Sequence, residues 1–125
     1  MSLLDLKNVI LILVAHYVGD FVLQTTDMRK YKYDSIYYLS IHIVVYTLTM
    51  LLFLAYSFGF SRLWLFYVFV NGCFHFIIDT ITIKTIKEMR EMDRDEVIPL
   101  ALGTDQLLHL VTLFCTFYVF DLFNI

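Results

Sequence analysis

The sequence predicts an all-α, polytopic membrane protein: four transmembrane helices bundled around an interior of histidine and aspartate. Three observations predict it. Of 125 residues, 60% are hydrophobic and only 17% charged, with a mean hydropathy of +0.74. That is more apolar material than a soluble domain of this size can hide. Four apolar runs reach the roughly 20 residues needed to cross a bilayer. Each of them carries one of the four histidines.

The first helix is expected over 6–24 and is the weakest, because His16, Gly19 and Asp20 interrupt it. Asp5 and Lys7 precede it without a basic leader or a small-residue cleavage site, so it reads as a retained helix rather than a signal peptide. A loop over 25–35 comes next. The second helix, 36–60, is the cleanest, with His42 its only ionisable side chain apart from tyrosines. The third covers 63–83. The loop over 84–99 alternates charges, and Lys84 with Glu88 and Lys87 with Glu91 are spaced to pair on a helix. Ile83, Ile86 and Met89 offer that stretch an apolar edge, so helix three is expected to continue past the membrane or bend along its surface. Pro99 marks where the chain turns back. The fourth helix is expected over 100–123. One proline and four glycines leave no room for a linker, and residues 1–125 read as a single transmembrane domain.

Arg29, Lys30 and Lys32 lie in the first loop, and Lys84, Lys87, Arg90 and Arg94 in the third. Only Lys7 and Arg62 lie on the other side. The positive-inside rule then puts both longer loops in the cytoplasm and both termini outside it, in the inner cell membrane. A net charge of −3 with scattered bases argues against a nucleic-acid partner. Cys73 and Cys115, deep in apolar runs and without metal-ligand spacing, read as small packing residues.

Ionisable side chains inside a bilayer cost several kcal/mol unless paired or hydrated, so they are functional candidates. His16, Asp20 and Gln24 share one face of helix one; Asn71, His75 and Asp79 share one of helix three. Asp105 and His109, followed by Thr112 and Thr116, line helix four, and His42, Tyr46 and Thr49 line helix two. With the helices antiparallel, all four histidines come to lie roughly 9–13 Å in from the cytoplasmic ends at ~1.5 Å per residue. Asp20, Asp79 and Asp105 lie about one turn nearer that surface.

Histidine and carboxylate at i and i+4 can grip one ion from a single helix, and three such pairs occur here. His16, Asp20, His42, His75, Asp79, Asp105 and His109 are therefore the candidate metal ligands. Zinc is the first choice, with iron or manganese as alternatives, as one ion or two. Gln24, Asn71 and Gln106 are candidates to orient those ligands. The expected function is a metal-dependent hydrolase open to the cytoplasm. A carboxylate among Asp20, Asp79 and Asp105 that is left free of the metal would act as general base. Its partners would be the bilayer, a lipid or anionic small-molecule substrate and a homo-oligomer. The alternatives are an ion or small-molecule transporter, a channel or proton-relay subunit, and an accessory protein with a purely structural metal.

The blocks His16-Tyr-Val-Gly19-Asp20-Phe21-Val-Leu23-Gln24, Met28 with Lys30, His42 with Tyr46, Asn71-x-x-x-His75-x-x-x-Asp79 and Asp105-Gln106-x-x-His109 span nearly the whole chain. On them the sequence resembles a family of small prokaryotic and phage membrane proteins, domain of unknown function 3307. The resemblance implies a membrane protein but no established reaction. It also implies a basic residue three positions after Asp79, where this chain has Thr82, with Lys84 slightly beyond. In the style of its site the sequence is similar to membrane-bound metal-dependent hydrolases.

Overall fold

A computed structural model describes residues 5–123, and its regular structure among them is helical without a strand. Helix α1 (Leu6–Tyr17) starts at Asp5, whose carboxylate accepts the Asn8 N–H at 2.9 Å. That pairs one of the donors a helix start leaves open. It runs straight into a π turn, Val18–Val22, closed by the Leu23 N–H on the Val18 carbonyl at 2.9 Å. Gly19 allows the close approach here: a Cβ on it would meet Tyr46 Cδ2 at 3.0 Å and Tyr46 Cα at 3.3 Å. Helix α2 (Thr26–Tyr31), capped by Thr25 through the Met28 N–H, lies against α3 and buries Met28.

Helices α3 (Ile36–Phe58) and α4 (Arg62–Glu91) are joined through Gly59, whose φ of 73° is left-handed backbone that favours glycine. Ser61 caps α4 by accepting the Trp64 N–H at 3.3 Å. Helix α4 runs on through the charged stretch to Glu91, and Asp93 at φ 55° ends it. A single 3-10 turn, Asp95–Val97, leads into α5 (Ile98–Phe123). Pro99 lies in the first turn of α5, where a missing N–H breaks no helical bond.

Helix α1 packs on α3, α3 on α4, and α4 on α5. Three stretches are long and apolar enough to cross a membrane: Ile36–Phe58, Arg62–Glu91 and Asp95–Phe123. The sequence led us to expect four. The first apolar run is helical, but α1 and the π turn together supply only 12 and 5 residues. At ~1.5 Å per residue they rise about 26 Å, at the lower end of the range of ~17–25 residues that crosses a bilayer. The chain termini lie outside the described residues.

The outside of the assembly is apolar, with Val44, Leu52, Phe69, Ile77 and Leu107 all more than half exposed. Cys73 and Cys115 are free and exposed on it rather than packed between helices. Inside, the two ends differ. One is an apolar cluster of Ile12, Met50, Leu54, Trp64, Tyr67, Val68, Leu113 and Phe117. Trp64 stacks on Phe58 and Phe117 at centroid distances of 4.9 and 5.2 Å, and the Tyr67 hydroxyl donates to the Leu113 carbonyl at 2.9 Å. The other end holds buried polar side chains.

Candidate metal centre

Each polar residue owes its place to helical spacing. His16 and Asp20 straddle the junction of α1 and the π turn; that turn carries one more residue per turn than an α-helix and so re-aims the side chains beyond it. His42 and Tyr46 share a face of α3, His75 and Asp79 a face of α4, Asp105 and His109 a face of α5. All of these, with Asn71 and Gln24, are buried.

The tightest group joins three segments. Asp20 Oδ1 is 3.0 Å from His42 Nε2 and 3.3 Å from His75 Nε2, and the two nitrogens are 3.3 Å apart. A tetrahedral ion bound at ~2.0–2.1 Å holds its ligands roughly 3.3–3.4 Å from one another. The triangle has the edge lengths of one face of such a tetrahedron. A second group joins His75, Asp79 and His109: Asp79 Oδ2 lies 3.6 Å from His75 Nε2, and Asp79 Oδ1 lies 3.5 Å from His109 Nε2. Asp79 Oδ2 is also 3.5 Å from His42 Nε2. Both groups draw on His75 Nε2, and one imidazole nitrogen has one lone pair to give. Two ions would therefore have to divide the ligands unequally.

The donor set fits a metal. Buried carboxylates need a counter-charge. His109 Nε2 and Asp79 Oδ2 complete no hydrogen bond in spite of their near neighbours. Buried polar atoms in that condition are destabilising until something satisfies them. The described His/Asp groups could hold a metal ion.

Around the groups runs a hydrogen-bonded frame. The Gln106 amide nitrogen donates to Asp20 Oδ2 at 3.1 Å and to Asp105 Oδ2 at 3.0 Å, and its carbonyl faces His16 Nε2 at 3.0 Å. His16 Nδ1 lies 3.1 Å from the Tyr46 hydroxyl. Both nitrogens of His16 are thus engaged, and His16 stands beside the two ligand groups rather than in them. Asp105 is also outside them, 3.3 Å from His109 Nδ1. Asn71 belongs to a separate clamp between α4 and α5: its amide donates to Thr116 Oγ1 at 2.8 Å and to the Tyr67 carbonyl at 3.0 Å. Gln24 faces a cavity of about 180 Å³ that it shares with Asp20, Arg29, Lys32, Asp79 and Gln106.

Three contributors were not counted among the candidate ligands or the residues that orient them. Lys32, which the sequence marks only as a topology determinant, puts Nζ 3.6 Å from Asp79 Oδ2. Tyr46 holds His16 and lays its ring 4.0 Å from that of His75. Thr82, where a base was expected, donates instead to Asp105 Oδ1 at 2.6 Å. The i, i+4 spacing of Tyr46 from His42 and the position of Thr82 three residues after Asp79 were the available signals. Lys32 had none, since a loop residue carries no periodicity.

The chain belongs to the family described as protein of unknown function DUF3307, whose model matches residues 9–124. No curated protein and no solved structure matches it.

Proposed function

We propose that this member of the family is a metal-dependent hydrolase with four membrane-crossing segments, its site opening toward the cytoplasm. The observation that carries the reading is the Asp20–His42–His75 triangle, three ligand atoms 3.0–3.3 Å apart that come from three different segments. Asp79 and His109 extend the donor set, and zinc, iron and manganese all accept imidazole with carboxylate. Such an ion supplies Lewis acidity and lowers the pKa of water. The protein's own part is to keep three carboxylates in fixed orientation. Gln106 ties down one oxygen of Asp20 and one of Asp105, leaving Asp20 Oδ1 to the histidines. Asp105, held by Thr82 and outside both ligand groups, is the carboxylate available as general base.

The cytoplasmic orientation rests on the bias of Lys and Arg toward the 25–35 and 84–99 loops. With the polar groups near those loops and the aromatic cluster closing the other end, the site is one-sided, which favours catalysis over passage. The substrate in this reading is a lipid or small amphiphile entering from the inner leaflet.

Elemental analysis of protein purified without chelators tests the reading. Stoichiometric zinc, iron or manganese is expected, and it should vanish in His75→Ala and Asp79→Ala. Metal-free protein that is folded would refute it.

One observation favours a second reading, a proton-relay subunit. Tyr46, His16, Gln106, Asp105 and Thr82 form an unbroken hydrogen-bonded chain from α3 through α1 and α5 to α4. Gradient-driven proton flux in proteoliposomes, lost in His16→Ala, would make it the better one.

A further inference from the structure

Beside the ligand groups, at the end where α2 lies, is the cavity of about 180 Å³, lined among others by Gln24, Arg29, Lys32, Phe21 and Leu102. Gln24, one of the residues lining it, is 9% exposed, and its amide nitrogen is buried without a hydrogen-bond partner. An amide N–H₂ can only donate, so what is missing is an acceptor. Arg29 makes no ion pair among the described residues and adds further donors, while Lys32 adds an ammonium already directed at Asp79. Three side chains that carry hydrogen-bond donors therefore line one small space. Its volume is about 180 Å³. That is below the ~300–1,000 Å³ of pockets that enclose a drug-sized ligand. It suits a headgroup and leaves any longer tail outside. Phe21 and Leu102, each over 40% exposed, provide the apolar lip on which such a tail can lie.

We infer that this cavity is a binding site for a phosphate monoester, with Gln24, Arg29 and Lys32 as its donors and Phe21 and Leu102 flanking the exit. The inference rests on the metal reading above and gives its substrate a chemical class. Charge makes the connection. Asp20, Asp79 and Asp105, which also line the cavity, carry three negative charges against two positive charges from Arg29 and Lys32. A divalent cation in the adjacent groups reverses the sign of that balance. Phosphate binding is therefore expected only with the cation in place. A lipid phosphate and a soluble phosphate ester present the same dianion.

The test uses the full chain in nanodiscs of phosphatidylcholine, loaded with zinc and freed of excess metal. Its titrants are inorganic phosphate, dihexanoyl phosphatidate and, as control, dihexanoyl phosphatidylcholine, with metal content measured on each sample. Phosphate and phosphatidate should bind and the control should not. Gln24→Leu and Arg29→Gln should each weaken binding roughly 10- to 100-fold, the effect of losing a hydrogen bond to a charged group. Both variants should retain their zinc, because neither residue is in the ligand groups. Phosphatidate binding at least ten times tighter than inorganic phosphate identifies a lipid source, and equal affinities a soluble ester. Zinc-loaded protein that binds neither probe overturns the inference while leaving the metal reading standing. So does binding unchanged in both variants, or binding equally strong without metal. Protein that takes up no zinc defeats the metal reading itself, and this one with it.

Discussion

Where α3 turns into α4, the interior is Trp64, Tyr67, Phe58 and Phe117, with Met50, Leu54 and Leu113 behind them. At the opposite end the same helices bring together His42, His75, His109, Asp20 and Asp79. The first end is held by shape. In lipid, where apolar burial does not draw helices together, rings stacked at 4.9–5.2 Å supply the dispersion contacts that do. The second end is held by complementary polar groups and contains atoms its own chain leaves unsatisfied. One end is complete without help, while the other gathers buried His/Asp groups that could hold a metal ion. Asn71 and Thr116 lie between the two as a satisfied polar pair.

That contrast can be broken by removing bulk from the complete end. Phe117→Ala should cost about 3–5 kcal/mol of stability, read by denaturant titration in detergent, because Phe117 is fully buried among three aromatic rings. The fraction that folds should still carry metal at wild-type stoichiometry. His75→Ala should do the reverse. Metal affinity should fall by more than about 100-fold, beyond the range seen for residues that only support a ligand. The loss would be read by competition with a chromophoric chelator. Gln106→Leu tests the frame: with the amide gone, Asp20 Oδ2 and Asp105 Oδ2 lose a donor. Metal affinity should drop roughly 10- to 100-fold with helicity by circular dichroism unchanged. The mildest change is Thr116→Val, which removes the hydrogen bonding between Thr116 and Asn71 and should cost about 0.6–1.7 kcal/mol without altering metal content. If Thr116→Val lowered metal content as far as Gln106→Leu does, the separation of the two ends would be wrong.

Much of the site was legible because helix geometry is local. His75 and Asp79 had to share a face of their helix, as did Asp105 and His109. The need to keep them from lipid then pointed them inward. Periodicity could not say which of them touch. His16 looked equivalent to the other histidines, yet Tyr46 and Gln106 occupy both of its nitrogens. Asn71 continued the stripe of His75 but pairs with Thr116 and Tyr67. Lys32 read as a charge that sets topology, and only the path of α2 brings it to Asp79.

The sequence by itself determined the helical class, the apolar exterior and the chemical types of the buried donors, since composition and a repeat near 3.6 residues are written along the chain. Tertiary structure alone decided that Asp20, His42 and His75 converge within 3.0–3.3 Å, and that the first helix breaks into a π turn against Tyr46. Those outcomes depend on how far one helix is rotated and how closely another lets it approach. Such distances between segments are set by side chains far apart in the chain and leave no period to read.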